Sequence, residues 1–269
     1  MFTGIVRAMG TVKSLRRRDD GDDGCKLEVD LGALDAAALG RGDSVAVNGA
    51  CLTVAELRGD GGDGGGDGGG DGGGASAVFE VSPETLARCL IGAWSAGDAL
   101  NLEPALTLQT PLGGHLLTGH IDAAAALLSR APAAGCARMQ FAAPRALSRL
   151  IAAKGSVALD GVSLTVNTVV DHGRETRFEV MVVPHTLAST TLGALQPGAR
   201  VHLEADILAR YAQRLLDGGR DGNARSGDGA DNNAGDGGGD GDGDGNDCSG
   251  DGADNNGADN AAANAGAAQ

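Results

Sequence analysis

Lysine is nearly missing: Lys13, Lys26 and Lys154 are the whole set in 269 residues, and acidic residues outnumber basic ones 36 to 21. Such an acidic balance repels phosphate polyanions, so no nucleic-acid partner is expected. The five cysteines, at 25, 51, 89, 136 and 248, are odd in number and form no C-x-x-C pair. That excludes a disulfide framework and a zinc knuckle, and no metal site is expected. No apolar run approaches membrane-spanning length, and Met1–Arg7 lacks the apolar stretch of a signal peptide. A cytoplasmic protein with no membrane partner is the expectation. Nor does any glycine-rich turn open a βαβ unit, so a dinucleotide-binding domain is excluded.

The charge that is present is concentrated in two places. Residues 217–269 hold 12 Asp against 2 Arg, and residues 60–74 add four Asp, which leaves 20 acidic and 19 basic residues in the body. Both segments are built from Gly, Asp, Asn and Ala and cannot bury enough apolar surface to offset the entropy of ordering, so both are expected to be disordered. Their four-residue Gly-Gly-Gly-Asp period carries no recurring apolar residue, which argues against a calcium-binding β-helix. Acidic excess with few lysines also fits a high-salt organism.

What remains is a duplication. Residues 44–54 (SVAVNGACLTV) and 156–166 (SVALDGVSLTV) are identical at seven of eleven positions. Thr3-Gly4 is echoed by Thr118-Gly119, Pro83-x-Thr85-Leu86 by Pro184-x-Thr186-Leu187, and Leu102-Glu103 by Leu203-Glu204. Copies of this length are tandem domains rather than solenoid repeats. Expected boundaries are 1–108, 109–205, a helix over 206–216 and a tail over 217–269.

Short apolar segments separated by Gly, Asn or Asp predict strands over Gly4–Val12, Lys26–Leu31, Ser44–Val47, Leu52–Leu57 and Ala77–Val81. Asn48-Gly49 and Asp160-Gly161 predict tight turns with positive φ. Strands spaced this closely predict an all-β fold of two small closed barrels, which removes exposed edges. Short helices are expected to start near Pro83 and Pro184. Amphipathic helices are expected over Ala143–Ala153 and, more weakly, Gly32–Leu39. The helix over Asp206–Leu216 carries Ile207, Leu208, Tyr211 and Leu215 on one stripe, either for an oligomer contact or for packing on its own barrel.

Met1-Phe2-Thr3-Gly4-Ile5-Val6, Asn48–Val54, Gly113–His120 and Lys154–Thr165, in this order and in duplicate, resemble the riboflavin synthase family over residues 1 to about 216. The resemblance implies two tandem six-stranded Greek-key-like barrels. It also implies a cofactor-free dismutation of two 6,7-dimethyl-8-ribityllumazine molecules into riboflavin and 5-amino-6-(ribitylamino)uracil. A homotrimer joined by C-terminal helices is implied, with each site between the N-barrel of one subunit and the C-barrel of another, and association with lumazine synthase is a further expectation. Non-catalytic relatives that hold a lumazine or flavin in the same double barrel are the alternative. A flavin-binding reductase would need the missing nucleotide-binding domain.

By position, the resemblance assigns Gly4, Ile5, Val6, Cys51, Leu52, Thr53 and Glu80, Val81, Ser82, Pro83, Glu84 and Thr85 to the N-barrel half-site. The C-barrel half-site receives Gly119, His120, Ile121, Lys154, Ser163, Leu164, Thr165 and Val183, Pro184, His185, Thr186, Leu187 and Ala188. His120, opposite Ile5 in the other copy, carries an imidazole, the side chain most often used to give or take a proton, and is the candidate acid or base. Cys51, Ser163 and Asp160 are candidates to support addition at one ring. Plainer readings accompany these: Cys51 as a small core residue, Asn48 and Asp160 as turn chemistry, Lys154 as a complement to a helix dipole. His115 and His120 have no third residue to make a metal site, and His172 and His202 read as ordinary surface or strand residues. Ala50 stands where many members carry a second Cys, and His185 where Glu is common.

Overall fold

The computed structural model describes residues 1–17, 23–59 and 74–223. The expectations for the Gly/Asp loop and for the tail beyond residue 223 lie outside the described residues. The first barrel is closed in the order β1 (Ala8–Arg17), β2 (Cys25–Asp30), β5 (Ser76–Val81), β4 (Ala50–Arg58), β3 (Ser44–Val47) and β6 (Ala99–Pro104). The second closes in the same cyclic order with β7 (Ala123–Ala133), β8 (Cys136–Pro144), β11 (Glu175–Val182), β10 (Val162–His172), β9 (Ser156–Leu159) and β12 (Arg200–Ala205). All pairs are antiparallel. The duplication reaches the irregularities: β4 carries a register shift between Val54 and Glu56, and β10 one between Val166 and Thr168. Bulges of this kind bend and twist a strand, which closing a sheet of six requires.

Alternation fills each interior. Strand β11 alternates half-buried and buried positions along its whole length, because successive side chains face opposite sides. Leu27, Phe79, Leu100 and Leu102 are in the first core, and Phe141, Phe178, Leu159 and Leu203 in the second. Phe141 and Phe178 stack with ring centroids 5.8 Å apart. Phe2, Ala46, Leu117 and Ala158 form a third cluster, drawn from both halves.

Helices α1 (Pro83–Arg88) and α2 (Pro184–Ser189) begin at the expected prolines. The expected helix over Ala143–Ala153 is only a 3-10 turn, Arg145–Leu150, and that over Gly32–Leu39 shrinks to Ala36–Ala38. In the first case β8 keeps Ala143 and Pro144 in register with Thr176 and Glu175, so too few residues remain for a stable α-helix. Lys154 therefore follows no α-helix: it takes φ +69° in a turn, and its N–H donates to the Val166 carbonyl at 2.7 Å. Helix α3 spans Ile207–Asn223, so it runs past the expected end at Leu216 into the first residues of the expected tail; it begins after Asp206, whose carboxylate caps the Leu208 N–H at 2.9 Å.

Candidate functional site

The first strand starts at Ala8 rather than Gly4 because residues 2–6 leave their own barrel. Phe2 and Leu117 exchange backbone hydrogen bonds at 2.8 and 3.0 Å, so the two leader segments cross antiparallel. Past the crossing, the Gly4 carbonyl accepts from the Ser163 N–H at 2.9 Å and Val6 packs on the second core. Reciprocally, the Gly119 carbonyl accepts from the Cys51 N–H at 3.0 Å and Ile121 packs on the first core. Each leader is held at its bend by a buried carboxylate. Glu103 accepts from the Thr3 N–H, the Thr3 hydroxyl and the Gly4 N–H at 2.7, 2.7 and 3.0 Å. Glu204 does the same for Thr118 and Gly119 at 2.7, 2.7 and 3.1 Å. This crossing corrects the grouping expected from sequence: Gly4–Val6 lie with Ser163, and Gly119–Ile121 lie with Cys51.

His120 consequently shares a groove with Cys51. A cavity of about 200 Å³ is lined by Ala50, Cys51, Glu84, Thr85, Arg88, Cys89 and the Gly119–Ile121 leader. The α1 wall is capped at its start: the Ser82 hydroxyl accepts from the Thr85 N–H at 3.2 Å, Pro83 starts the first turn, and Glu84 pairs with Arg88 at 2.9 Å on the exposed side. A second cavity of about 410 Å³ runs from His120 and Ile121 to Arg210 and Tyr211 of α3. There Arg210 pairs with Asp122. His120, exposed, and Ile121 form the shared wall of the two cavities.

Around Ser163 the arrangement differs. Ser163 is half-buried, and its hydroxyl lies 2.7 Å from Nδ1 of the buried His115. Its neighbours in the resemblance, Thr165, Lys154, Val183, Pro184, His185 and Ala188, are exposed, with Thr186 and Leu187 half-buried. In the first half Thr53, Glu80 and Ile5 are exposed likewise. Leu52, Val81 and Leu164 face the barrel interiors, so only their backbone can meet a ligand. Val183 caps α2 without the side-chain bond that Ser82 supplies to α1.

Asp160 lines neither cavity. Asn48-Gly49 and Asp160-Gly161 are two-residue turns with positive φ at both positions, and they meet back to back. The Asn48 side chain accepts from the Asn101 N–H, and Asp160 from the His202 N–H, both at 2.7 Å. Asn101 then donates to the Asp160 carbonyl at 2.9 Å and accepts from the Thr191 N–H at 2.8 Å. His202 mirrors it, donating from Nδ1 to the Asn48 carbonyl and accepting at Nε2 from the Leu90 N–H, both at 2.7 Å. His202 is therefore no ordinary strand residue: it is 1 % exposed and ties one barrel to the other. His172, by contrast, stays exposed at the end of β10.

Burial sets the electrostatics here. It pushes the Asp160 carboxyl up to about 7, against the bond from His202. Burial also raises Glu103 and Glu204, opposed by the hydrogen bonds from Thr3, Gly4, Thr118 and Gly119. His115 and His202 are lowered by the same desolvation, and the Cys89 thiol is raised. Sequence reading passed over Asn101 and took His202 for an ordinary surface or strand residue, although the 101-residue spacing of Leu102 and Leu203 pairs them, and it gave Glu103 and Glu204 no task.

A family model for the lumazine binding domain matches twice, at residues 3–105 and 118–206. The riboflavin synthase of Mycobacterium tuberculosis is 38% identical over 218 residues, 80% of this chain and 98% of that one. That of Photobacterium phosphoreum is 37% identical over 216 residues, 80% of this chain and 89% of that one. The chain belongs to the riboflavin synthase family. Across kingdoms the likeness persists at 30% identity over 220 residues with the Saccharomyces cerevisiae riboflavin synthase, 80% of this chain and 86% of that one. The fold also matches a crystal structure of LumP complexed with 6,7-dimethyl-8-(1'-D-ribityl) lumazine, with TM-score 0.61 at 21% identity over 76% of this chain and 99% of that one. Within a riboflavin synthase framework, the crossed leaders give each half of the molecule one contact segment borrowed from the other.

Proposed function

We propose that this chain dismutates two molecules of 6,7-dimethyl-8-ribityllumazine, one giving a four-carbon unit to the other, to yield riboflavin and 5-amino-6-(ribitylamino)uracil. The observation that carries this reading is the pairing of two near-equivalent half-sites, Cys51 with Gly119–Ile121 and Ser163 with Gly4–Val6, in a family of riboflavin synthases. A reaction between two copies of one substrate calls for two like pockets. Holding two flat rings face to face is a proximity problem, worth about 7 to 11 kcal/mol of barrier.

The lumazine 7-methyl group is acidic because its anion delocalises into the ring, so a modest base suffices. His120 is exposed at the groove beside Cys51 and takes that role, as acid or base or by orienting the ring. Cys51 and Ser163, at equivalent positions, support addition at one ring, and Asp160 acts on them through the turn it anchors. Glu84, Thr85, His185 and Lys154 offer polar partners for the ribityl hydroxyls.

A homotrimer completes the site in this reading, with the N-barrel of one subunit facing the C-barrel of another. Helix α3 supplies the contact: Leu208, Tyr211, Leu215 and Leu216 are 67, 63, 77 and 72% exposed, leaving an apolar stripe open to a second subunit. Association with lumazine synthase and a cytoplasmic location belong to the same proposal. The test is to incubate the purified chain with 6,7-dimethyl-8-ribityllumazine and nothing else. Riboflavin is expected at one molecule per two lumazines consumed. Tight lumazine binding with no riboflavin would instead make the chain a binding protein of the same fold.

A further inference from the structure

The leader that carries His120 is tied to β12 at both ends. Glu204 holds its start at Thr118 and Gly119. Asp122 closes its end: its N–H donates to the Leu203 carbonyl at 2.9 Å, and its carboxylate accepts from the Ala205 N–H at 2.9 Å. Between the two ties stand Gly119, whose carbonyl meets Cys51, Ile121, packed on the first core, and the exposed His120. The other oxygen of Asp122 receives the Arg210 guanidinium from the first turn of α3. Both oxygens are thus engaged on a side chain that is only 9% exposed.

The twin leader lacks the carboxylate tie. Arg7 stands at the position of Asp122 and Pro104 at that of Ala205. The Arg7 N–H still donates to the Leu102 carbonyl at 2.9 Å. However, an arginine side chain cannot accept a hydrogen bond, and a proline has no N–H to give. The charge at the equivalent position is reversed as well. Burial raises both Glu103 and Glu204; Arg7 works against that rise, and Asp122 adds to it. A carboxylate set beside a second one calls for a cation, and α3 brings Arg210 to it. The tie exists in the copy whose leader bears an imidazole.

Arg210 and Asp122 also line, with His120, the cavity of about 410 Å³ at α3. A second ion pair, Arg149 with Asp217 at 3.2 Å, holds the same helix further along, but it reaches the 3-10 turn Arg145–Leu150 and not the leader.

We infer that Asp122 and Arg210 are positioning residues that fix the place of His120, so that α3 belongs to the scaffold of the site as well as to the subunit contact. This rests on the reading of the site given under Proposed function, in which His120 gives or takes a proton or orients the ring. Proton transfer is sensitive to placement, and a shift of about 1 Å can cost up to about 100-fold in rate.

The two ion pairs on one helix supply the control. In the full chain, Arg210→Met should lower kcat about 10-fold with KM nearly unchanged, and Arg210→Lys should keep most of the natural rate. Arg149→Met frees the same helix from its other, exposed pair and should leave kcat within about twofold. Adding Arg210→Met to Asp122→Asn should cost nothing beyond the Asp122→Asn loss. Equal losses in the Arg149 and Arg210 variants, or full multiplication in the double variant, would overturn the inference. So would a rise in KM that matches the fall in kcat. Loss of subunit assembly confined to Arg210→Met would trace its rate to the subunit contact and overturn it too. The readout without substrate is the imidazole carbon–proton signal of His120 in histidine-labelled chain, identified with His120→Ala. It should move in Arg210→Met, return in Arg210→Lys and stay in place in Arg149→Met. A signal unmoved by Arg210→Met sinks the inference whether or not the chain makes riboflavin. If the signal moves while even the natural chain makes no riboflavin, it is the dismutase reading that fails.

Discussion

The two barrels share one strand order, and at four equivalent pairs of positions where the halves meet they carry chemically different residues. Asn101 and His202 each donate to the opposite turn and accept from the opposite 3-10 segment, one with an amide and one with an imidazole. Asn48 and Asp160 each accept one backbone N–H, one as a neutral amide and one as a carboxyl pushed up to about 7. Symmetric geometry is thus met with chemically unequal groups. A ligatable thiol faces a hydroxyl at Cys51 and Ser163, and Ile5 faces His120. A duplication that had only to fold would have no use for the last two differences, whereas a site that must treat two identical rings differently would.

The largest effect is expected at His120, which the proposed function sets against the substrate. His120→Ala should slow turnover about 100- to 10,000-fold, the usual worth of a general acid or base, while lumazine affinity changes little. Ile5→Ala, the twin substitution, should leave kcat nearly intact. Parallel losses in rate and affinity at His120 would reduce it to a binding residue. Next comes the symmetric element itself. A Cβ at Gly161 would lie 2.8 Å from the Gly49 backbone nitrogen, at φ +76°, and one at Gly49 would lie 2.7 Å from Gly161 N, at φ +83°. Gly161→Ala and Gly49→Ala should therefore each destabilise by about 2 to 5 kcal/mol, from strain and overpacking together. Thermal unfolding in which one is tolerated and the other is not would show that the turns are not packed as equals.

Barrel closure was legible in the sequence because period two, Asn-Gly and Asp-Gly turns and the repeat all point the same way. Ser44–Val47 agrees to the residue, and the prolines at 83 and 184 mark their helices. The leaders were not legible. Thr3-Gly4-Ile5-Val6 is apolar enough to continue a strand, and nothing local says that Glu103, a hundred residues on, turns it onto the other barrel. Such a swap is a tertiary event, and it moved His120 from the Ser163 side to the Cys51 side. His202 was hidden for a related reason. A histidine in a strand looks solvated unless its partners, here Leu90 N–H and the Asn48 carbonyl, are known to come from another domain.

His202 is the next point to break. Replacing it with Leu keeps the volume but strands the Leu90 N–H and the Asn48 carbonyl, at a cost of about 2 to 4 kcal/mol in denaturant unfolding. Asn101→Leu should cost a similar amount by stranding the Thr191 N–H and the Asp160 carbonyl. His202→Asn should recover part of the loss, since an amide does this work in the twin. If Leu is as good as Asn at 202, the imidazole bonds contribute nothing across the seam.

The smallest effect is the most selective, because it follows pH. A carboxyl raised on folding binds its proton more tightly in the native chain than in the unfolded one. Asp160 therefore costs stability as pH rises from its ordinary 3.8 to about 7, and no more above that. The slope in this window is at most about 1.4 kcal/mol per pH unit. The lowered imidazoles of His202 and His115 work in the other direction, since the unfolded chain takes up their protons first as pH falls below 6.5. Their loss of stability on the acid side masks part of the Asp160 slope in the natural protein. Asp160→Asn makes the turn match its twin at Asn48 and deletes only the carboxyl contribution. Stability measured in denaturant at pH 5, 6, 7 and 8 should show the variant gaining on the natural chain with each step up to about 7 and level beyond it. A difference that stays constant with pH would mean that the carboxyl is not held protonated at the seam. A variant equally stable but slow in turnover would assign Asp160 to the chemistry at Ser163 rather than to the turn alone.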